Sequence, residues 1–440
     1  MTRLNRGSVP RMKPIASNRT TLVAGLDIGT SKVACLIGRL RPCQTRDALS
    51  GRSHAIDVIG MSQIQARGMK AGAVIDANAA EQSVRQAVAI AEEMAGVRVE
   101  SVVLSIAAGR MQGQLIEASA EARGGTVSPG ELSHAMGMVT HHATGEGRTT
   151  LHALPVGYSL DGVKGIRDPR GMVAKQFGLE MNVVTADATV ARNLMLVVER
   201  CHLTVEAVVA SPYVAGLSVL SDDESAVAAA VIDMGAGTTT VAVYSNGRFV
   251  HAFGFAVGGN HITMDLARGL GACVADAERI KTLYGTVLTG GSDARELMTI
   301  PSVGDHEGEA PQIVSRGTIA NIVSQRAEEI FEMIRDGLAD SPFAAEPRAR
   351  VVITGGASQL TGIPELASRV LNRPVRIGRP LGVSRLPNEA KNASFAVPTG
   401  LLVYPQYAHL EFNEPVRAHR AATGTDGYFG RVGRWLREGF

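Results

Sequence analysis

The pattern strand, Asp-x-Gly, Thr, strand occurs twice in this chain, and it constrains the fold more than any other feature. In the first copy an apolar strand, Leu22 to Leu26, runs into Asp27-Ile28-Gly29-Thr30-Ser31-Lys32 and continues as a second strand, Val33 to Leu40. In the second a buried strand, Ala226 to Ile232, meets Asp233-Met234-Gly235-Ala236-Gly237-Thr238-Thr239 and continues from Thr240 to Tyr244. A domain-scale duplication accounts for both. It predicts two related α/β lobes facing each other, with matching turns at a cleft. The 440 residues are enough for two lobes with full cores.

Around these turns the spacing predicts a strand near Ile56–Met61, a helix over Ala77–Ala95 with Val84, Val88 and Ala91 on one face, and a strand over Ser101–Ala107. From residue 109 the pattern changes to short strands (Leu115–Ala118, His152–Tyr158, Glu180–Thr185) around one helix, Ser128 to Thr140, which predicts a small inserted α+β unit. His141 and His142 follow in a polar stretch and read as two solvated histidines. Helices are expected over 189–201, 262–270, 274–283 and 319–339, and a strand over Arg350–Ile353. The expected boundaries are a disordered basic tail (1–20), a first lobe (21–108, 185–222, 385–412) and the inserted unit (109–184). A second lobe (223–270, 341–384) carries its own subdomain (271–340), followed by a linker (413–427) and a terminal segment (428–440).

Each Asp-x-Gly turn suits a phosphate. Glycine lets backbone N–H groups approach an anion, and the Thr and Ser hydroxyls add donors. An aspartate at the strand end can hold Mg²⁺ through water, because that ion keeps much of its hydration shell. The first turn offers Gly29, Thr30, Ser31 and Lys32 with Asp27; the second offers Gly235, Ala236, Gly237, Thr238 and Thr239 with Asp233. One such hairpin alone is an ordinary tight turn, whereas two at corresponding positions can grip a triphosphate. A third element, Gly355-Gly356-Ala357-Ser358 after the strand at 350, lacks side chains where an adenosine would approach. Glu278 and Lys281, three apart on one helix face, can bond ribose hydroxyls; taken alone they are a surface ion pair.

Composition excludes several classes. The net charge of +2 supplies no overall field toward nucleic acid. The four cysteines form no CxxC pair and no disulfide framework, which predicts a reducing, cytosolic compartment. No apolar run reaches the ~18–20 residues that span a bilayer. The terminal segment is different. At helical spacing Tyr428, Phe429, Val432, Trp435, Leu436 and Phe440 share a stripe, with Arg431, Arg434 and Arg437 on the other side. Aromatics opposite basic residues suit the interface of an anionic membrane.

In this order the elements resemble the phosphate-1, connect-1, phosphate-2, adenosine and connect-2 motifs of the actin, Hsp70 and sugar-kinase superfamily. Connect-1 is Ala210-Ser211-Pro212-Tyr213-Val214-Ala215-Gly216, and connect-2 is Ser394-Phe395-Ala396-Val397-Pro398-Thr399-Gly400. Within the superfamily the chain resembles the FtsA family of bacterial cell-division proteins, through Gly68-Met69-Lys70-Ala71-Gly72, Pro301-Ser302-Val303-Gly304, Val375-Arg376-Ile377-Gly378, the inserted unit and the amphipathic end. The resemblance implies an actin-like (ribonuclease-H-like) two-lobed ATPase fold that binds ATP and Mg²⁺ and self-associates into filaments. It implies FtsZ as a partner on subdomain 271–340, other division proteins on the inserted unit, and a place on the cytoplasmic face of the inner membrane at the division site. Related ATPases carry a Glu or Gln near connect-1 that positions the attacking water. This neighbourhood offers Ala207, Ala210 and Ser211, with Glu206 displaced, so at most weak ATPase activity is expected. A sugar or acid kinase would need an aspartate base, which no motif supplies. An Hsp70-like chaperone would need a large peptide-binding domain, and only residues 401–440 follow connect-2.

Overall fold

Two sheets built on the same plan organise the chain. A computed structural model describes residues 9–43, 51–108, 110–290, 292–300 and 312–413. The first sheet runs in the order Thr204–Ala210, Ser101–Ile106, Thr21–Ile28, Lys32–Pro42, His54–Gln65, with the short strand Val383–Ser384 at its edge. The second begins Val375–Ile377, Arg350–Thr354, Ala228–Met234, Thr239–Ser245, Arg248–Phe255. In both, the three strands that open the lobe form an antiparallel meander. The two strands on the other side are parallel to the first strand of that meander. Strand order and direction thus repeat, as the duplicated motif predicts. One apolar core holds Leu26, Leu36 and Ile37 and reaches across to Val231, Ala242 and Val352 of the second sheet, while Ile232, Val241 and Ile353 on that sheet's other face belong to a separate core.

The helix at Ala77–Ala95 is set by local chemistry. Asp76 Oδ1 accepts from the N–H groups of Asn78 and Ala79, and Gly96 ends the helix in the left-handed region at φ 65°. Its buried face, Ala80, Val84, Ala87, Val88 and Ala91, is small because the sheet comes close. A Cβ on Gly60 would lie 2.3 Å from Ala91 O. The two lobes are joined through a pair of buried helices, Ser211–Val219 and Ala396–Val403. A Cβ on Gly400 would lie 1.9 Å from Val214 O, so only glycine permits this crossing.

The inserted unit does not stand apart as a closed sheet. Its strands Gln112–Glu121, Gln176–Asp187, Arg148–Leu160 and Val163–Ile166 extend the second sheet, joined where Phe253 pairs with Gln112. It keeps its own core around Phe177, Met181 and Val183 under the helix Pro129–Ala143. That helix is capped by a reciprocal Ser128–Glu131 box and runs past Thr140, so His141 and His142 lie in its last turn rather than in a loop. In the second lobe Asp222–Val227 is a helix, and the strand expected from Ala226 begins at Ala228. The Ser221–Glu224 capping box explains the shift, since it satisfies the helix's first N–H groups.

The expected disordered tail over 1–20 is corrected for residues 9–20. Val9 and Met12 are buried in the first lobe's core with Ile15 packed beside them. Val208 N–H donates to Pro10 O at 3.2 Å along the sheet edge. Apolar residues spaced by three outweigh the basic composition here. The Pro301–Gly304 stretch, the linker beyond Asn413 and the terminal stripe Tyr428 to Phe440 lie outside the described residues.

Candidate functional site

Both turns close with the same hydrogen bond. Gly29 N–H donates to Lys32 O at 2.9 Å, and Gly235 N–H donates to Thr238 O at 2.9 Å. The turns then meet across the cleft, where a Cβ on Gly237 would lie 2.4 Å from Thr30 Oγ1. Thr30 Oγ1 also accepts from Gly72 N–H at 2.9 Å, so one hydroxyl is fixed between the neighbouring loop and the opposite lobe.

Two carboxylates and one ammonium lie half-buried together beside the turns. Asp233 is pushed up to about 7, first by burial and then by the nearby Asp27 carboxylate, against the pull of Lys32. Asp27 is raised by burial, opposed by the Ser105 hydroxyl, which donates to Oδ1 at 2.6 Å, and by Lys32. Burial lowers Lys32, while Asp27 and Asp233 hold it up. One cation facing two acids leaves a site that favours further positive charge. Oxygen donors are also the ligand chemistry of Mg²⁺, so Asp27 and Asp233 fit the expected ion.

Lys32 reaches beyond the acids. Its Nζ donates to Ser394 O and stands 4.8 Å from the Phe395 ring centroid. The residue just before connect-2 is gripped from the second lobe, because Thr354 Oγ1 donates to Ala393 O at 2.8 Å and Gly355 N–H donates to the same oxygen at 3.1 Å. Gly355 has φ 88°, and a Cβ there would lie 2.5 Å from Asp233 Oδ1, so the third element abuts the second aspartate. Ser358 Oγ donates back to Gly355 O at 2.7 Å and locks the turn.

Glu278 and Lys281 are more than a surface pair. Lys281 Nζ lies 2.7 Å from Glu278 Oε2 and also donates to Thr263 Oγ1 at 2.9 Å and Gly259 O at 3.2 Å. A Cβ on Gly259 would lie 3.2 Å from Ala357 Cβ and 3.6 Å from Lys281 Nζ. Glu278, Lys281 and the Gly355–Ser358 element therefore converge on one corner of the cleft. The predicted residues Ala236 and Thr239 serve the frame: Ala236 O accepts from Asn260 N–H at 2.7 Å, and Thr239 Oγ1 donates to Val257 O at 2.8 Å.

Sequence reasoning missed Gly258 and Gly259. A Cβ on Gly258 would lie 2.5 Å from Gly235 O, so this pair forms the floor of the second turn. A Gly-Gly at a strand-to-helix junction was the available signal, identical in kind to Gly355-Gly356. Ser105 carried no such signal, since it sits within a strand. Near connect-1, Ala207, Ala210 and Ser211 are buried, while Glu206 pairs with Ser101 Oγ at 2.5 Å on an exposed surface.

Two duplicated lobes with facing glycine turns over a pair of half-buried acids define an actin-like protein. Solved structures of that fold include MreB5 of Spiroplasma citri bound to ADP (TM-score 0.53, 14% identity, covering 88% of this chain and 97% of that one). Another is a chain of the PilM-PilN type IV pilus biogenesis complex (TM-score 0.61, 16% identity, 87% and 98%). The family model described as cell division protein FtsA matches residues 230–400, and that of the SHS2 domain inserted in FtsA matches 109–185. The chain is 44% identical to the cell division protein FtsA of Agrobacterium fabrum, over 98% of both chains. It is 30% identical to that of Escherichia coli K12, over 95% of this chain and 98% of the relative. This chain belongs to the FtsA family of cell-division proteins.

Proposed function

We propose that this protein binds ATP with Mg²⁺ between its lobes, assembles into filaments, and holds FtsZ filaments at the cytoplasmic face of the inner membrane. The carrying observation is the contact of Gly237 with Thr30 above Asp27, Asp233 and Lys32. In this reading Gly29 to Lys32 and Gly235 to Thr239 hold the phosphates, Gly355 to Ser358 with Glu278 and Lys281 hold the nucleoside, and Asp27 and Asp233 bind Mg²⁺ through water. Mg²⁺ supplies charge neutralisation for the phosphates. Without a water-positioning acid at connect-1, turnover is slow and ATP acts chiefly as an assembly ligand. Subdomain 271–340 receives FtsZ, the inserted unit recruits other division proteins and takes part in self-association, and residues 428–440 lie on anionic lipid. The test combines ATP titration by calorimetry, sedimentation of assemblies and flotation with anionic vesicles. Assembly that is indifferent to ATP, or failure to bind ATP at all, would refute the reading.

A further inference from the structure

The helix Ser211–Val219 carries the chain from the first lobe to the second, and Leu381 lies on the way back, between the strands Val375–Ile377 and Val383–Ser384. The two crossings are joined, because Leu381 N–H donates to Ser218 O at 2.8 Å. Leu220 N–H closes the helix on Gly216 O at 3.1 Å, and the three carbonyls that follow have no donor within the helix. Leu220 is extended, at φ −82°, so no left-handed turn caps them. All three are met from outside. Leu217 O accepts from Arg52 Nη2 at 3.0 Å, Ser218 O from Leu381 N–H, and Val219 O from Arg376 Nη2 at 2.8 Å. Arg52 belongs to the first lobe, just before the strand His54–Gln65, and Arg376 belongs to the second, on Val375–Ile377.

Arg52 does more than cap this helix. Its Nη1 donates to Gly382 O at 2.9 Å and to Leu381 O at 3.2 Å. One buried guanidinium therefore holds the outward crossing with one arm and the return crossing with the other. On the second lobe's side Arg376 is fixed by Glu224, whose Oε1 accepts from its Nε at 2.6 Å. A Cβ on Gly378 would lie 2.9 Å from Val219 Cβ, so the crossings have no slack there either. The guanidinium is a planar fork with fixed donor directions, which sets the spacing of the carbonyls it bridges.

We propose that Arg52 is a positioning residue of the nucleotide cleft: by bridging the two crossings it fixes the angle between the lobes and keeps the turns at Thr30 and Gly237 facing each other before a nucleotide arrives. The consequence for ATP rests on the reading of the cleft as an ATP site, whereas the consequence for the interlobe angle does not. Without the bridge the lobes sample a wider range of angles. The apparent affinity then falls with the fraction of molecules that hold the binding angle.

The test compares the full-length native chain with Arg52→Gln and Arg52→Lys. Nitroxide labels at exposed Glu93 on the first lobe and exposed Glu365 on the second report the interlobe distance by double electron–electron resonance. Calorimetry reports the affinity for ATP with Mg²⁺. Without nucleotide the native chain is expected to give one narrow distance peak and both variants a broadened distribution. With about one variant molecule in ten at the binding angle, ATP affinity falls about tenfold, and saturating ATP returns both variants to the native distance. Lysine keeps the charge but cannot hold Leu217 O and Gly382 O together. A narrow peak in Arg52→Lys would therefore overturn the bridge and leave only a charge at the helix end. This variant alone decides if Arg52→Gln does not fold. A native-like distribution in folded Arg52→Gln, or a broadened one with native ATP affinity, overturns the positioning role. If the native chain binds no ATP, the reading of the cleft fails, and the nucleotide-free distances still judge the bridge.

Discussion

Gly237 touches Thr30 across the cleft: a Cβ on the glycine would lie 2.4 Å from the threonine Oγ1 and 2.8 Å from its Cγ2. Any side chain at 237 must displace one turn from the other. Overpacking of this kind costs about 1–3 kcal/mol. Gly237→Val is therefore expected to weaken ATP binding roughly tenfold to a hundredfold, measured by titration with a fluorescent ATP analogue. Trimming the opposing residue in Gly237→Ala/Thr30→Ala should restore part of the loss relative to Gly237→Ala alone. Native affinity in Gly237→Val would remove this contact from the binding site.

Gly258 is expected to matter as much, although it belongs to neither duplicated turn. Its missing side chain leaves room for Gly235 O, which accepts from Gly259 N–H at 2.9 Å. Gly258→Ala drives a methyl into that oxygen and tilts the second turn. ATP affinity should fall by about tenfold, with the far-ultraviolet dichroism unchanged. A variant that binds ATP normally would show that the floor of the turn is not needed.

The paired acids predict a pH dependence. Asp233 rises to about 7 in the fold, by burial first and the Asp27 charge second, from its ordinary value of 3.8. The folded chain thus holds this proton more tightly than the unfolded chain. The associated stability is complete below pH ~4 and is lost as pH rises through about 7. Asp233→Asn removes that loss. Without nucleotide it should melt higher than the native chain at pH 8, with the gap closing toward pH 5. It should also weaken Mg²⁺-dependent ATP binding, which in the native chain should tighten as pH rises through about 7. A melting difference that does not change with pH would argue against Asp233 as the titrating group.

The duplicated turns were legible because glycine and aspartate at fixed offsets leave few conformations open. The helix over 77–95 was legible through its apolar spacing. The strap at 9–20 was not, since five basic residues among the first twenty mask the Val9, Met12, Ile15 rhythm. Continuity of the inserted unit with the second sheet was not legible either. Its ladder pairing is Phe253 with Gln112, supported by Asn182 Nδ2 donating to Phe249 O and Arg248 Nη1 donating to Val156 O, side chains whose partners no sequence pattern names. Ser105 was hidden for a related reason: a serine in an apolar strand becomes informative only once Asp27 is known to lie alongside.

His152 links three parts of the molecule to the end of the described chain. Its Nε2 accepts from Ala210 N–H at 2.9 Å, which places the ring proton on Nδ1, 2.8 Å from Glu411 Oε1. Tyr404 OH donates to the same carboxylate oxygen at 2.9 Å, and Tyr213 packs edge-on at 4.9 Å. His152→Leu keeps the volume but strands the Ala210 N–H and removes a donor from buried Glu411. Each unsatisfied group costs about 1–3 kcal/mol, so denaturant titration should show a loss of about 2–5 kcal/mol. Hydrogen exchange at residues 404–413 should accelerate more than exchange in the second lobe. Uniform acceleration would mean that the node supports general stability and does not hold the C-terminal exit.

Under the proposed function the terminal segment couples assembly to membrane residence. A 13-residue helix is about 20 Å long and cannot cross a bilayer. At helical spacing the sequence would set Trp435 on an apolar stripe opposite Arg431, Arg434 and Arg437, which suits anionic headgroups. A single such segment binds reversibly. In a filament each further segment binds at high effective concentration, so the polymer stays where a monomer leaves. Trp435→Glu is expected to abolish flotation with anionic vesicles while ATP affinity stays native, since the segment is distant in sequence from every nucleotide residue. An assembly-defective variant with an intact segment should float less than the native chain at equal protein concentration, and adding ATP should not rescue it. Equal lipid affinity for monomeric and assembled protein would sever assembly from membrane residence.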